Sequence, residues 1–162
     1  MNKTYIFSWV PVLLWMALIF FLSGQQGSAS GGLSSGITGM VMNTIESVLP
    51  FLEIDPEQFH TFIRKCAHFI AYLILAVLAL YALRQSGIHG IRSIFSAFII
   101  AVLYAISDEY HQSFVPGRGP AVTDVLIDSA GAAAGIGLYF WRTLFRKPRP
   151  SQEVQRQCAE EK

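Results

Sequence analysis

Residues 67–83 read Ala67-His68-Phe69-Ile70-Ala71-Tyr72-Leu73-Ile74-Leu75-Ala76-Val77-Leu78-Ala79-Leu80-Tyr81-Ala82-Leu83, a run without a single Asp, Glu, Lys or Arg. It is too long for a buried strand and lacks the polar–apolar alternation of a barrel strand. In lipid every backbone N–H and C=O must be satisfied within the segment, which leaves the α-helix. Crossing a hydrocarbon core of about 30 Å takes roughly 20 helical residues, and this run with its flanks reaches that length.

Working outward, three more apolar segments follow the same logic: Tyr5 to Leu22, Ile91 to Ile106 and Ala121 to Phe145. The expected fold is all-α, a polytopic membrane protein with four transmembrane helices. Of the 162 residues 52% are hydrophobic and only 14% charged, with a positive mean hydropathy, so membrane lipid is the expected solvent and partner. A net charge of +1 with no basic stripe excludes a strongly basic nucleic-acid binder. The two cysteines, Cys66 and Cys158, suggest no disulfide framework.

The first segment, with Lys3 before it and Ser28-Ala29-Ser30 after it, has some marks of a signal peptide. Its apolar core exceeds the about 7–15 residues usual there, so retention as a membrane helix is expected. If all four segments span, Lys3, Arg84, Arg92, Arg142, Arg146, Lys147 and Arg149 share one side, while Arg64, Lys65 and Arg118 lie on the other. The excess of basic residues marks the cytoplasmic side, so both termini are expected there.

Between the first two spans, Ser23 to Gly36 is rich in Gly, Ser and Gln and reads as a loop. Ile37, Met40, Val41, Thr44, Ile45, Val48, Leu49 and Leu52 then recur at helical spacing, a stripe too short to span. It reads either as an amphipathic helix lying in the interface or as one packed on the bundle. Asp55-Pro56-Glu57-Gln58 has the form of a helix start. Gln85 to Gly90 is a tight turn, so the second and third spans are antiparallel neighbours, and Pro116-Gly117-Arg118-Gly119-Pro120 is a compact non-helical loop. Residues 1–145 form the expected transmembrane domain and 146–162 a basic, then polar, cytoplasmic tail near anionic lipid.

Antiparallel threading brings the start of the second span, the end of the third and the start of the fourth to one membrane face. Arg64, His68 and Tyr72 recur every fourth residue on the second; Asp108, Glu109, His111 and Gln112 close the third; Asp124 and Asp128, four apart, open the fourth beside Ser129. An ionisable residue in a membrane helix costs about 2.5–3.5 kcal/mol at mid-span. Such residues pair with one another or with a ligand, and Arg64, Lys65 and Arg118 are available to the four acids. A network that only fixes helix packing is the plain alternative, and Asp124 alone is explained by the positive helix start.

Three chemistries are open to this set. His68 or His111 suits acid–base work with Asp108 or Asp128 as partner. A divalent metal on Asp108, Asp124, Asp128 and a histidine is weakly signalled, because no tight ligand spacing is present, and none is assigned. These residues leave the cofactor unspecified. Arg64, Lys65 and Arg118 suit a phosphate or carboxylate headgroup, which needs the fewest assumptions. The ligand-binding candidates are therefore Arg64, Lys65, His68, Tyr72, Asp108, Glu109, Gln112, Arg118, Asp124 and Asp128. Gly131 and Gly135 form a Gly-x-x-x-Gly face for close helix contact, either within the bundle or between copies as a homo-oligomer.

These residues resemble the VanZ-like family of bacterial membrane proteins. The likeness is carried by Leu18-Ile19-Phe20-Phe21-Leu22-Ser23 with Gln25, by Arg64-Lys65-Cys66-Ala67-His68-Phe69 with Tyr72, by Tyr104 through Arg118, and by Asp124 and Asp128 followed by Gly131. The resemblance implies a multi-pass protein of the bacterial cytoplasmic membrane and a link to glycopeptide resistance, specifically low-level resistance to teicoplanin. One departure is Ala71, where many members carry an acidic residue before the tyrosine. The expectation that joins residues and resemblance is an outer-face pocket that binds or modifies a lipid-linked or cell-wall headgroup. An intramembrane hydrolase or transferase on a lipid-carrier substrate is the alternative, and an ion-coupled transporter built around Asp128 a weaker third, since no second cluster continues a path.

Overall fold

The computed structural model describes residues 3–24, 55–115 and 121–144, and every regular element among them is an α-helix. These are α1 (Lys3–Ser23), α2 (Pro56–Gln85), α3 (Ile91–Gln112) and α4 (Val122–Leu144). The expected interfacial helix within 37–52, the loop holding Arg118 and the 146–162 tail lie outside the described residues. By length and composition two helices are sufficient to cross a membrane, α2 over Thr61–Gln85 and α3 over its whole length. The described apolar part of α1, Phe7–Ser23, is shorter, and α4 is diluted by Asp124, Asp128 and the glycines at 131, 135 and 137.

The bundle is apolar outside, and inside it mixes small and polar residues with larger apolar ones such as Val12, Leu75 and Leu80. Phe7, Leu13, Leu14 and Phe21 of α1, Phe62 and Ile70 of α2, Phe95 and Leu103 of α3, and Leu126 and Leu138 of α4 all face outward. A water-soluble monomer does not present so continuous an apolar exterior. Along α3 the buried positions Ser93, Ala97, Ala101, Ala105 and Glu109 form a stripe repeating every fourth residue, joined near its end by Asp108 and Gln112. Small residues let helix backbones approach where the hydrophobic effect offers no drive between helices, as in lipid.

α2 is the central helix and touches the other three. Pro56 occupies its first position, where the missing N–H costs nothing, and Phe59 N–H donates to the Asp55 carbonyl at 3.0 Å. Its far end closes in a Schellman turn: Ile88 N–H donates to Leu83 O at 3.0 Å and Gly87 N–H to Arg84 O at 3.1 Å. Gly87 at φ 85° and Gly90 at φ 66° take the left-handed conformations that reverse the chain into α3.

The closest pairing is α2 with α4. A methyl group on Gly131 would overlap the Phe69 carbonyl, and one on Gly135 the Leu73 carbonyl. The Gly-x-x-x-Gly face is thus occupied within the chain, and a homo-oligomer through Gly131 and Gly135 would have to displace α2. At the same crossing Arg84 lies over the rings of Tyr139, 4.7 Å from its centroid, and Phe140, 5.5 Å away. α1 packs mainly on α2 through Val12 and Ile19. Trp15 Nε1 donates to Ala71 O at 2.9 Å, Trp9 Nε1 to Ser86 Oγ at 3.1 Å, and the Tyr104 hydroxyl to Met16 O.

Candidate functional site

Contacts between the helices place the end of α1, the start of α2, the end of α3 and the start of α4 together. α3 continues more than a turn past Ile106, so Asp108, Glu109 and Gln112 stand on a helix, not a loop. His68 of α2 meets Asp128 of α4, with Nδ1 and Oδ1 3.5 Å apart, and their side chains are 15% and 3% exposed. That separation is at the outer limit of a hydrogen bond, so Asp128 Oδ1 counts as a buried oxygen without a well-formed one. Asp108 and Asp124 lie within electrostatic range of His68.

One turn deeper on α2, Tyr72 is fully buried, and its hydroxyl has no hydrogen-bond partner. Asp108 and Asp128 are within electrostatic range of that hydroxyl, and the Tyr104 ring centroid is 6.3 Å from the Tyr72 ring. Asp108 is 2% exposed; its Oδ2 accepts from Gln112 Nε2 at 3.0 Å, while Oδ1 is unpartnered. Buried polar atoms left unpaired are rare and costly; of the five among the described residues, Tyr72 Oη, Asp108 Oδ1 and Asp128 Oδ1 lie on three helices within electrostatic range of one another, and the other two are Arg84 Nε and His111 Nδ1.

The remaining candidates divide. Gln112 Nε2 also donates to Ser23 Oγ at 2.6 Å, which joins the end of α1 to the cluster. Glu109 accepts from the Ala121 backbone N–H, an otherwise orphaned donor at the start of α4, so it caps one helix from another. Asp124 is buried in the first turn of α4. His111 turns toward α1 and stacks on Phe20 with ring centroids 4.0 Å apart. Arg64 is exposed and Lys65 half-buried, and neither forms an ion pair among the described residues. Arg118 lies outside those residues. No group of three or more His, Cys, Asp and Glu side chains among the described residues is arranged to hold a metal ion.

Ser23 and Tyr104 escaped sequence reasoning as members of this region. Ser23 had a usable signal: it is the first polar residue after the first apolar run, and the first span ends at the face where the second begins. The matching family model, described as VanZ/LLP1, covers residues 7–146 and so takes in all four helices and the cluster. The chain belongs to the VanZ/LLP1 family. No curated protein and no solved structure matches it.

A groove in this VanZ/LLP1 chain lies elsewhere. It measures about 590 Å³ and is lined by Gly87, Ile88, His89, Arg92, Phe95 and Ser96 at the α2–α3 turn. Arg92 and Asp108 are sixteen residues apart on α3, about 24 Å along the axis. The groove therefore belongs to the opposite, basic end of the bundle.

Proposed function

We propose that this VanZ/LLP1 protein crosses the bacterial cytoplasmic membrane four times, with both termini cytoplasmic, and that its polar cluster faces outward and binds the headgroup of a lipid-linked or cell-wall molecule. Occupation of that headgroup lowers susceptibility to lipophilic glycopeptides such as teicoplanin. The carrying observation is the set of three buried oxygens on three helices that lack a well-formed hydrogen bond, Tyr72 Oη, Asp108 Oδ1 and Asp128 Oδ1, the last facing His68 at 3.5 Å. Packing alone gives no reason to desolvate three such atoms beside one another, whereas a polar ligand supplies their partners. Lys3, Arg84, Arg92 and Arg142 gather at the opposite end, which supports a cytoplasmic assignment for that end.

The test is susceptibility of an expressing bacterial host to teicoplanin. His68→Ala, Asp108→Asn and Asp128→Asn variants that insert at wild-type levels are expected to lose any protection the wild type confers. Protection unchanged in all three ends the reading.

The His68–Asp128 contact favours a second reading, an acid–base pair of a hydrolase or transferase on a lipid-carrier substrate. Lipid extracts from deletion and overexpressing cells would then differ by one substrate and one product, and identical profiles would count against catalysis.

A further inference from the structure

Resting on the headgroup reading above, we infer that the part of the headgroup that enters the cluster is a primary ammonium group, with any phosphate left outside. The argument is one of charge and of donor number. The cluster oxygens without a well-formed hydrogen bond are two carboxylate oxygens and a phenolic oxygen, all on residues at most 2% exposed: Tyr72 0%, Asp108 2% and Asp128 2%. A phosphate placed among them would bring three or four acceptors to atoms that are themselves acceptors, with only the Tyr72 hydroxyl and His68 to donate. It would also add negative charge beside two carboxylates in a low-dielectric interior, where like charges repel most.

Among the described residues the cations offered by the sequence do not offset this. Arg64 is exposed and Lys65 half-buried, and neither reaches a carboxylate there. His68 is the basic group that faces the cluster from α2, against Asp108 of α3 and Asp124 and Asp128 of α4. Among the described residues the balance is acidic. An ammonium group has three N–H donors and one positive charge, which matches three orphan oxygens, one each on α2, α4 and α3. Arg64 and Lys65, a turn or more nearer the start of α2, are placed to meet the phosphate that such a headgroup carries behind its amine.

The experiment uses the full chain purified in detergent, with retention of three lipids of matched acyl chains read by native mass spectrometry. Phosphatidylethanolamine presents an ammonium with three donors, phosphatidylcholine the same charge with none, and phosphatidic acid the phosphate alone. The ethanolamine lipid is expected to be retained roughly tenfold or more over both others, since charge-assisted hydrogen bonds are at stake. Asp108→Asn and Asp128→Asn are expected to abolish that preference. Equal retention of the choline lipid overturns the inference in favour of cation–π binding over Tyr72 and Tyr104. Retention of phosphatidic acid at or above the ethanolamine level, lost on Asp108→Asn, overturns it but leaves the headgroup reading standing. If no lipid is held better by the wild type than by the two variants, both fall. The comparison among lipids on the wild type needs no variant to fold.

Discussion

Gly131 and Phe69 are in backbone contact: the α-carbon of one lies against the carbonyl of the other, with no room for a methyl group between them. Gly135 repeats the arrangement one turn along, against Leu73. This double approach sets the separation of α2 and α4, and with it the distance from His68 to Asp128.

Gly131→Ala and Gly135→Ala are therefore expected to push the two helices apart and to destabilise the bundle by about 1–3 kcal/mol each, the usual cost of overpacking. Gly137→Ala is the matched control, because a methyl group there meets nothing within 4 Å, and it should change stability by less than about 0.5 kcal/mol. Thermal unfolding of the three variants in one detergent reads the difference.

The His68–Asp128 contact predicts non-additivity. Removing either partner alone strands the other in a buried site, since the Asp128 side chain is only 3% exposed. In a double-mutant cycle of His68→Ala and Asp128→Asn, the pair is expected to cost less than the sum of the singles by about 0.5–3 kcal/mol. Strict additivity in unfolding free energy would show that the two side chains do not interact.

Gln112 bridges Asp108 and Ser23, so Gln112→Leu leaves Asp108 Oδ2 as orphaned as Oδ1 and unties the end of α1. The expected cost is about 1–3 kcal/mol, and Ser23→Ala, which leaves the Asp108 bond intact, should cost less. Because Trp15 docks α1 on α2 through the Ala71 carbonyl, a red shift in tryptophan emission should accompany the Gln112 variant if α1 loosens as a unit.

The small-residue stripe of α3 gives a directional prediction. Ala101→Leu, at a position 1% exposed, should destabilise by about 1–3 kcal/mol through overpacking. Leu103→Ala, on the outward face of the same helix, should leave unfolding in detergent nearly unchanged. Equal effects at the two positions would mean that α3 is rotated from the orientation described.

Much of the cluster was legible because threading is stiff. Once Ala67–Leu83 and its neighbours are helices joined by short turns, His68, Asp108 and Asp128 have nowhere else to go. What spacing alone misjudged is phase. Residues four apart on an α-helix advance by about 40° beyond a full turn, so Arg64 and Tyr72 differ by about 80°. The gradient in burial follows that rotation: Arg64 is exposed, the His68 side chain 15% exposed and Tyr72 0%. The three residues are therefore graded around the helix instead of sharing one face equally.

Other features depended on partners that no single segment reveals. Glu109 reads as a fourth acid of the site, yet it caps the start of α4 at Ala121. His111 reads as a candidate acid–base group, yet it stacks against Phe20. The apolar segments likewise indicate four spans, while length and composition single out α2 and α3. The glycine pattern specified close contact but not with what, and only the carbonyls of Phe69 and Leu73 supply the answer.

The bond from Trp15 to the main-chain oxygen of Ala71 bears on how such a protein can diversify. A carbonyl acceptor is present whatever side chain its residue carries, so α1 stays anchored when residue 71 drifts. An acidic side chain and the alanine found here are interchangeable as far as this anchor is concerned. The position beside Tyr72 can therefore change its side chain, and with it the surroundings of the cluster, without giving up this tether.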